Sequence, residues 1–112
     1  MEGKDLGKTS LGMQPNLAAA LSYLVGFITG IVFYALEKEN KFVRFHAMQS
    51  IVVFGSLFVA SIIFGFMPFI GGLISFLIGL GSLVLWVILM LKAYQGEDFK
   101  LPIAGDIAQK NS

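Results

Sequence analysis

The most concentrated polar chemistry in this sequence lies in residues 42–49, where an arginine, a histidine and a glutamine stand among aromatic and aliphatic residues. His46 and Gln49 are three positions apart, so on a helix they share a face, whereas Arg44 points elsewhere. An imidazole beside a carboxamide can bind a polar partner, and a guanidinium can reach a lipid phosphate or a nearby carboxylate. We therefore predict a membrane-interface or partner-binding site at Arg44, His46 and Gln49.

Catalysis would need more groups than this segment supplies. The sequence has no cysteine, and it contains no nucleophile–base arrangement, phosphate-binding glycine loop or metal-ligand spacing. A lone histidine is more often a hydrogen-bonded structural residue than a proton-handling group, and both interpretations stay open for His46. We expect no enzymatic activity, no cofactor and no bound metal.

The composition is typical of a protein that lives in lipid. Hydrophobic residues make up 56% of the 112 positions and charged residues only 13%, with a mean hydropathy of +0.80, whereas a soluble domain has about 25% charged residues. No Asp, Glu, Lys or Arg occurs between Arg44 and Lys92. The net charge of +1 gives no reason to expect a nucleic-acid partner.

Three apolar runs, at residues 17–36, 42–66 and 69–91, are each long enough for a transmembrane helix. Asn40 can cap the second helix, and Pro68 with the following glycines indicates a tight reversal before the third. The first run is longer than the apolar core of a cleaved signal peptide. The sequence thus predicts an all-α integral membrane protein with a polar tail (1–16), a three-helix domain (17–94) and a C-terminal tail (95–112).

The distribution of positive charge predicts an orientation. With three crossings, Lys4 and Lys8 lie on one side of the membrane, and the other side holds Lys38, Lys41, Arg44, Lys92, Lys100 and Lys110. The side with more Lys and Arg normally faces the cytoplasm. We therefore expect a multi-pass protein of a prokaryotic plasma membrane, with its N-terminus outside and its C-terminus in the cytoplasm.

Small residues recur at helical spacing in all three runs, and such positions let membrane helices approach closely. The predicted packing residues are Ser22, Gly26 and Gly30 in the first run, Ser61 and Gly65 in the second, and Gly71, Ser75 and Gly79 in the third. Packing within one chain and self-association both fit this pattern. The predicted partners are the lipid bilayer and either further copies of the chain or another membrane protein.

The C-terminal tail is apolar but punctuated by helix breakers. Gln95 and Gly96 should end the third helix, and the segment that follows carries Leu101, Pro102, Gly105 and Asp106. We expect this tail to fold back onto the cytoplasmic membrane face or the first loop, and a frayed terminus is the alternative.

Three elements carry a family resemblance: residues 21–24, the Phe-Val-Arg-Phe-His-Ala-Met-Gln block at 42–49, and residues 93–96 with 101–107. In these the chain resembles small prokaryotic membrane proteins of unknown function related to the twenty-kilodalton component of the chloroplast inner-envelope protein-import translocon. The resemblance implies an all-helical membrane domain with a part in protein transport or membrane-protein biogenesis, acting as an oligomer or with a partner. The alternative function is a non-transporting scaffold or regulatory subunit that binds another membrane protein through small-residue helix faces.

Overall fold

The computed structural model describes residues 6–112, and this part of the chain is all-helical. The predicted positions in residues 1–5, including Lys4, lie outside the described residues. Five helices follow one another: α1 (Pro15–Leu21), α2 (Phe27–Leu36), α3 (Lys41–Gly65), α4 (Gly71–Tyr94) and α5 (Ala104–Lys110).

Two of these helices, α3 and α4, are long and apolar enough to cross a membrane. At 1.5 Å per residue their 25 and 24 residues exceed a hydrocarbon core of about 30 Å. The Asn40 side chain accepts a hydrogen bond from the backbone N–H of Val43 at 3.0 Å, which confirms the predicted cap of α3. The reversal between the helices also lies where Pro68 predicted it, with Phe69 at a φ of 69°.

The first apolar run is not one helix, and the prediction of a continuous span over residues 17–36 is corrected here. It is divided into α1 and α2 by a turn in which Gly26 adopts a φ of 56°, a left-handed conformation that favours glycine. At 7 and 10 residues, α1 and α2 are about 10 and 15 Å long. Neither is long enough to cross a bilayer.

Contacts along α3 and α4 trace the path of the divided run. The side-chain amide of Asn16 donates to the carbonyl of Tyr94 at the end of α4, which places the start of α1 there. The chain then runs away from that end to Gly26, where an added Cβ would lie 3.6 Å from Phe54 of α3. From this tip α2 returns along α3, and the carbonyl of Tyr34 accepts from Arg44 near the start of α3.

Helices α1 and α2 therefore form a hairpin that starts and ends at the same end of the molecule. The described N-terminal residues, the loop between α2 and α3, and the C-terminal tail all lie at this end. The predicted third crossing, and the prediction that the two tails lie on opposite sides of the membrane, do not agree with this path. The reason is the turn at residues 22–26, which reverses the chain so that α2 returns to the end of the molecule where α1 began.

The molecule consequently has two unlike halves. The polar half comprises α1, α2, the C-terminal tail, residues 41–54 of α3 and residues 83–94 of α4, and it holds every buried residue of α3. The apolar half comprises residues 55–82, where α3 and α4 pack only on each other except at the hairpin tip. Large side chains there are widely exposed, Phe69 and Phe76 among them, as expected of a surface that faces lipid.

Candidate functional site

The centre of the polar half is a hydrogen-bonded cluster of three buried side chains, Tyr23, His46 and Gln49. The Tyr23 hydroxyl lies 2.8 Å from His46 Nδ1 and 2.9 Å from Gln49 Nε2. The structure thus brings together His46 and Gln49, which the sequence predicted to share a face. It adds Tyr23 from the hairpin, which the sequence analysis had not assigned to the site.

The partners of this cluster fix the direction of each hydrogen bond. His46 Nε2 lies 2.8 Å from the carbonyl oxygen of Glu97, an acceptor, so Nε2 carries the proton. On a neutral imidazole Nδ1 is then an acceptor, and the Tyr23 hydroxyl donates to it. Gln49 Nε2 in turn donates to the hydroxyl oxygen of Tyr23. The bonds run in one direction, from the amide through the phenol to the neutral imidazole.

The C-terminal tail completes the cluster through its backbone. The Gln49 carboxamide donates to the carbonyl of Phe99 and accepts from the N–H of Leu101, both at 2.9 Å. Together with the bond from His46 to Glu97, α3 binds every second residue of an extended segment. The tail is therefore held against α3 in the structure. Its predicted docking on a membrane face stays a prediction.

The other predicted tail residues shape this segment. Gly96 has a φ of 80°, and the N–H of Glu97 bonds to the carbonyl of Lys92 at 3.0 Å, a Schellman motif that ends α4 as expected. A Cβ on Gly105 would lie 2.7 Å from Lys100, so only glycine fits at the start of α5.

Two further tail residues hold the turn into α5 at the surface. The carboxylate of Asp106 lies 3.1 Å from the ammonium group of Lys100. The carbonyl of Pro102 accepts from the N–H of Ala104 at 2.7 Å, and Pro102 itself is exposed.

Arg44 lies apart from His46 and Gln49, as predicted, and binds main-chain oxygens rather than a side-chain carboxylate. Its guanidinium donates to the carbonyls of Tyr34 and Glu37 at 3.0 and 2.7 Å, and to the main-chain oxygen of Ser112 at 3.2 Å. It also lies over the Tyr34 ring, 4.1 Å from the centroid. The carbonyls of Tyr34 and Glu37 end α2, where a positive charge is favourable. Arg44 thus joins the hairpin to α3 and the tail.

A second cluster, around Glu37, binds the N-terminal segment, residues 6–10. The fully buried Glu37 carboxylate accepts from the backbone N–H of Ser10 through both oxygens, at 2.9 and 2.8 Å, and from the N–H groups of Glu39 and Asn40. Burial raises the pKa of Glu37, but these hydrogen bonds stabilise the carboxylate more strongly, and the pKa is lowered overall.

Asn40 also binds the N-terminal segment, because its side-chain amide donates to the carbonyls of Leu6 and Lys8 at 2.8 and 3.0 Å. The N-terminal segment is therefore fixed to the loop between α2 and α3. Sequence reasoning assigned Asn40 only to the cap and gave Glu37 no role.

The hairpin turn is stabilised by side chains that bind its free backbone groups. The Thr29 hydroxyl accepts from the N–H of Val25 at 3.0 Å and lies 3.1 Å from the carbonyl of Ser22, to which it donates. Ser50 donates to the carbonyl of Gly26, and the Trp86 indole donates to the carbonyl of Tyr23, each at 2.8 Å. Irregular backbone at membrane depth requires such partners. The sequence feature that could have indicated this turn is the presence of Ser22, Gly26 and Thr29 within one apolar run.

The predicted small residues fall into four groups. Ser22 and Gly26 form the turn, whereas Gly30 packs on α3, where an added Cβ would lie 2.9 Å from the Ala47 carbonyl. The predicted residues Ser61, Gly65, Gly71 and Ser75 lie at the contact between α3 and α4. There a Cβ on Gly71 would meet the Gly65 carbonyl at 2.9 Å. A Cβ on Gly79, by contrast, would meet nothing within 4 Å.

Fold and site together define a class: a small helical membrane protein in which two long helices carry a polar half closed by both of its tails. The chain belongs to the family described as the magnetosome magnetite crystal formation protein family, whose profile matches residues 8–108. Within residues 6–112, no group of three or more His, Cys, Asp or Glu side chains is placed to hold a metal ion.

Archaeal membrane proteins are similar to this chain over most of its length. A UPF0132 membrane protein of Methanocaldococcus jannaschii is 57% identical over 107 residues, which cover 96% of each chain. One from Archaeoglobus fulgidus is 49% identical over 98 residues, covering 88% of this chain and 95% of its own. The comparison with solved structures gave no match. These relatives support a membrane location.

The comparisons agree with one part of the resemblance stated above and not with the other. The relatives are prokaryotic membrane proteins that carry no functional name beyond that description. The family matched is a different one from the chloroplast import component, and nothing in the comparisons supports that relation. The translocon role that rested on it is likewise unsupported.

Proposed function

We propose that this protein is a non-transporting structural component of a prokaryotic plasma membrane, built from two crossings and one re-entrant hairpin. The observation that carries this proposal is that the buried polar side chains of the polar half already have hydrogen-bond partners. Tyr23, His46 and Gln49, the side chains that could line a polar pathway, bond to one another and to the tail backbone. Each fully buried side-chain N or O atom in the described chain has a partner.

The remaining helix surface supports the same proposal. Transporters carry ionisable groups inside the membrane, where they face a cavity or pair with one another. The sequence has no Asp, Glu, Lys, Arg or His between His46 and Lys92. The apolar half therefore offers no charged group that could couple to an ion or a polar solute.

Charge also supports an orientation for this topology. Every Lys and Arg of residues 6–112 lies at the end that holds the tails, and the turn at residues 66–70 carries none. By the positive-inside rule, the tails and the loop between α2 and α3 face the cytoplasm. The hairpin then enters the membrane from the cytoplasm and returns to it. This orientation keeps the predicted cytoplasmic C-terminus and moves the N-terminus to the same side.

Single-cysteine labelling tests this topology cleanly, because the natural chain has no cysteine. The exposed positions are changed one at a time, Lys8→Cys, Lys38→Cys, Lys110→Cys and Phe69→Cys, and intact cells are treated with a membrane-impermeant maleimide. We expect labelling of the Phe69→Cys variant alone, and labelling of all four after the cells are opened. Labelling of Lys8→Cys in intact cells would restore the three-crossing topology and refute the re-entrant hairpin.

Electrical recording tests the absence of transport. Purified protein reconstituted in a planar bilayer should give no conductance above that of the protein-free bilayer. A pore-forming peptide added afterwards to the same bilayer serves as the positive control. Protein-dependent conductance would contradict our proposal and favour the transport hypothesis, with copies of the chain surrounding a pathway that one chain does not enclose.

A second candidate function, a scaffold that assembles through α4, is favoured by a specific observation. A Cβ on Gly72 or Gly79 would meet nothing within 4 Å, and these two positions are seven residues apart, so they leave one face of α4 open to close approach by another helix. We propose a second copy of this chain as the partner. Crosslinked dimers should be lost in Gly72→Leu or Gly79→Leu variants and kept in a Leu83→Ile control, and equal dimer yields in all three would refute it.

A further inference from the structure

The number of helices differs between the two halves of the molecule. Beside residues 46–50 of α3 lie α2 at Gly30, the hairpin turn at Tyr23 and the tail, while α4 adjoins the same hairpin through Trp86. Among residues 6–112, only α4 lies beside Gly65, at Gly71 and Ser75. The cross-section therefore narrows from four helices with a docked tail to two.

From this shape we propose that the protein is a membrane wedge that generates or selects curvature, expanding the leaflet that holds the hairpin more than the opposite leaflet. A helix with its side chains is 10–12 Å wide, so the two additional helices occupy roughly 160–220 Å² in one leaflet. This inference rests on the re-entrant topology of the proposed function and adds an activity to it.

A wedge bends a membrane only if it resists compression, and the hairpin is tightly held. Helix α1 and the turn are bonded to both long helices: Asn16 to Tyr94 and Tyr23 to Trp86 on α4, and Gly26 to Ser50 on α3. At Gly30, backbone and side chains are so close that even a Cβ would not fit. Close-packed interiors have low compressibility. The surrounding lipid therefore adapts to the protein, and not the reverse.

The direction of bending follows from the position of the hairpin. The leaflet that holds more protein area lies on the convex side. With both tails in the cytoplasm, that leaflet is the cytoplasmic one, so the protein favours membrane that bulges toward the cytoplasm. A pair of copies related by an axis normal to the membrane keeps both hairpins in one leaflet and preserves the effect.

Tether pulling from giant vesicles measures this preference. A Lys110→Cys variant carries one fluorophore and is reconstituted in vesicles of a single phospholipid, and an impermeant quencher separates vesicles with tails outward from those with tails inward. The outer leaflet of an outward tether is convex. We expect enrichment in the tether, increasing as it narrows, when tails face outward, and depletion when tails face inward.

The opposite sign in the two orientations is the internal control, because neither unequal lipid density nor probe adsorption reverses with orientation. A Gly72→Leu, Gly79→Leu, Gly81→Leu variant adds bulk where the apolar half is open, and its enrichment should be smaller. Equal densities in tether and vesicle for both orientations would overturn the wedge even where cysteine labelling upholds the hairpin. Antiparallel copies, detected by energy transfer between labels, would also overturn it.

Discussion

The two halves of this molecule are held together by different interactions. In the polar half, α3 buries nine residues between Phe42 and Phe54 and binds the hairpin and tail through hydrogen bonds. In the apolar half, the same helix buries none of its residues and meets α4 at small residues, with one weak bond of 3.5 Å between Ser75 and Ser61. Helix α3 thus runs from a region where burial and hydrogen bonds fix its contacts to a region where few such contacts exist.

This difference shows what specifies structure in a lipid-facing protein. Lipid tails are as apolar as leucine, so burying an apolar side chain between helices gains little, and close packing and hydrogen bonds decide the arrangement. The polar half has both. We expect substitutions there to alter the fold, whereas similar substitutions in the apolar half, away from the close contact of Gly65 with Gly71, should have little effect.

The largest effect should follow Gln49→Leu. The change leaves the partly buried Phe99 carbonyl and Leu101 N–H without a partner, at a cost of up to about 1–3 kcal/mol each. We expect about 3 kcal/mol of lost stability in a detergent unfolding titration, together with trypsin cleavage at Lys100. Ser56→Leu, on the exposed surface of α3, is the matched control and should be neutral. Equal stability of both variants would show that the tail is not held by this amide.

A pair of glycines compares the halves directly. In Gly30→Ala the new Cβ would lie 2.9 Å from the Ala47 carbonyl, so α2 must shift, and overpacking of this kind costs about 1–3 kcal/mol. In Gly79→Ala the Cβ meets nothing within 4 Å, and the better helix former should leave stability unchanged or raise it by up to about 1 kcal/mol. Thermal unfolding in detergent measures both. The same loss in both would contradict the proposed division into halves.

Removing one hydroxyl from the cluster should have a smaller effect. Tyr23→Phe keeps the ring but leaves His46 Nδ1 without its donor and one Gln49 N–H without its acceptor. We expect a loss of about 1.5 kcal/mol, within the range for a buried group left unpaired. Tyr94→Phe, at an exposed ring, is the control and should be neutral. A neutral Tyr23→Phe would mean that the amide and imidazole bind the tail without the phenol.

Much of the fold was predictable from the sequence because it follows from local patterns. The two long helices were placed within three residues at each end, since the backbone of a long apolar run normally satisfies its own hydrogen bonds as a helix in lipid. The cap at Asn40 and the end of α4 at Gly96 follow from side-chain and backbone preferences within a few residues. These features need no knowledge of distant contacts.

The hairpin was not predicted because its cause is not local. An apolar run of 20 residues normally favours a single helix, and small residues such as Gly26 are common in such helices. The turn is stable because Ser50 and Trp86, distant in sequence, bind its free carbonyls. The same holds for the site: His46 and Gln49 were visible as a pair, but Tyr23 and the tail backbone join them only in the folded chain.

The smallest effect should be local, at the junction of the N-terminal segment with Glu37, and it should depend on pH. The pKa of Glu37 is lower in the folded protein than in the unfolded chain, where it has the ordinary value of about 4.3. The ionised carboxylate therefore stabilises the junction at pH values above about 4.3, and this stabilisation is lost as the pH falls through the lowered pKa.

A spin label at Lys8→Cys should therefore be immobile at neutral pH and mobile in acid. With Glu37→Gln added, the label should be more mobile at neutral pH and no longer respond to acid, because the amide has one acceptor oxygen for the three N–H groups and its NH₂ group would oppose them. A label at Phe69→Cys, in the apolar half, should show no such transition. A transition at both positions would mean global unfolding, whereas an immobile label at position 8 throughout would show that Asn40 holds the segment without the carboxylate.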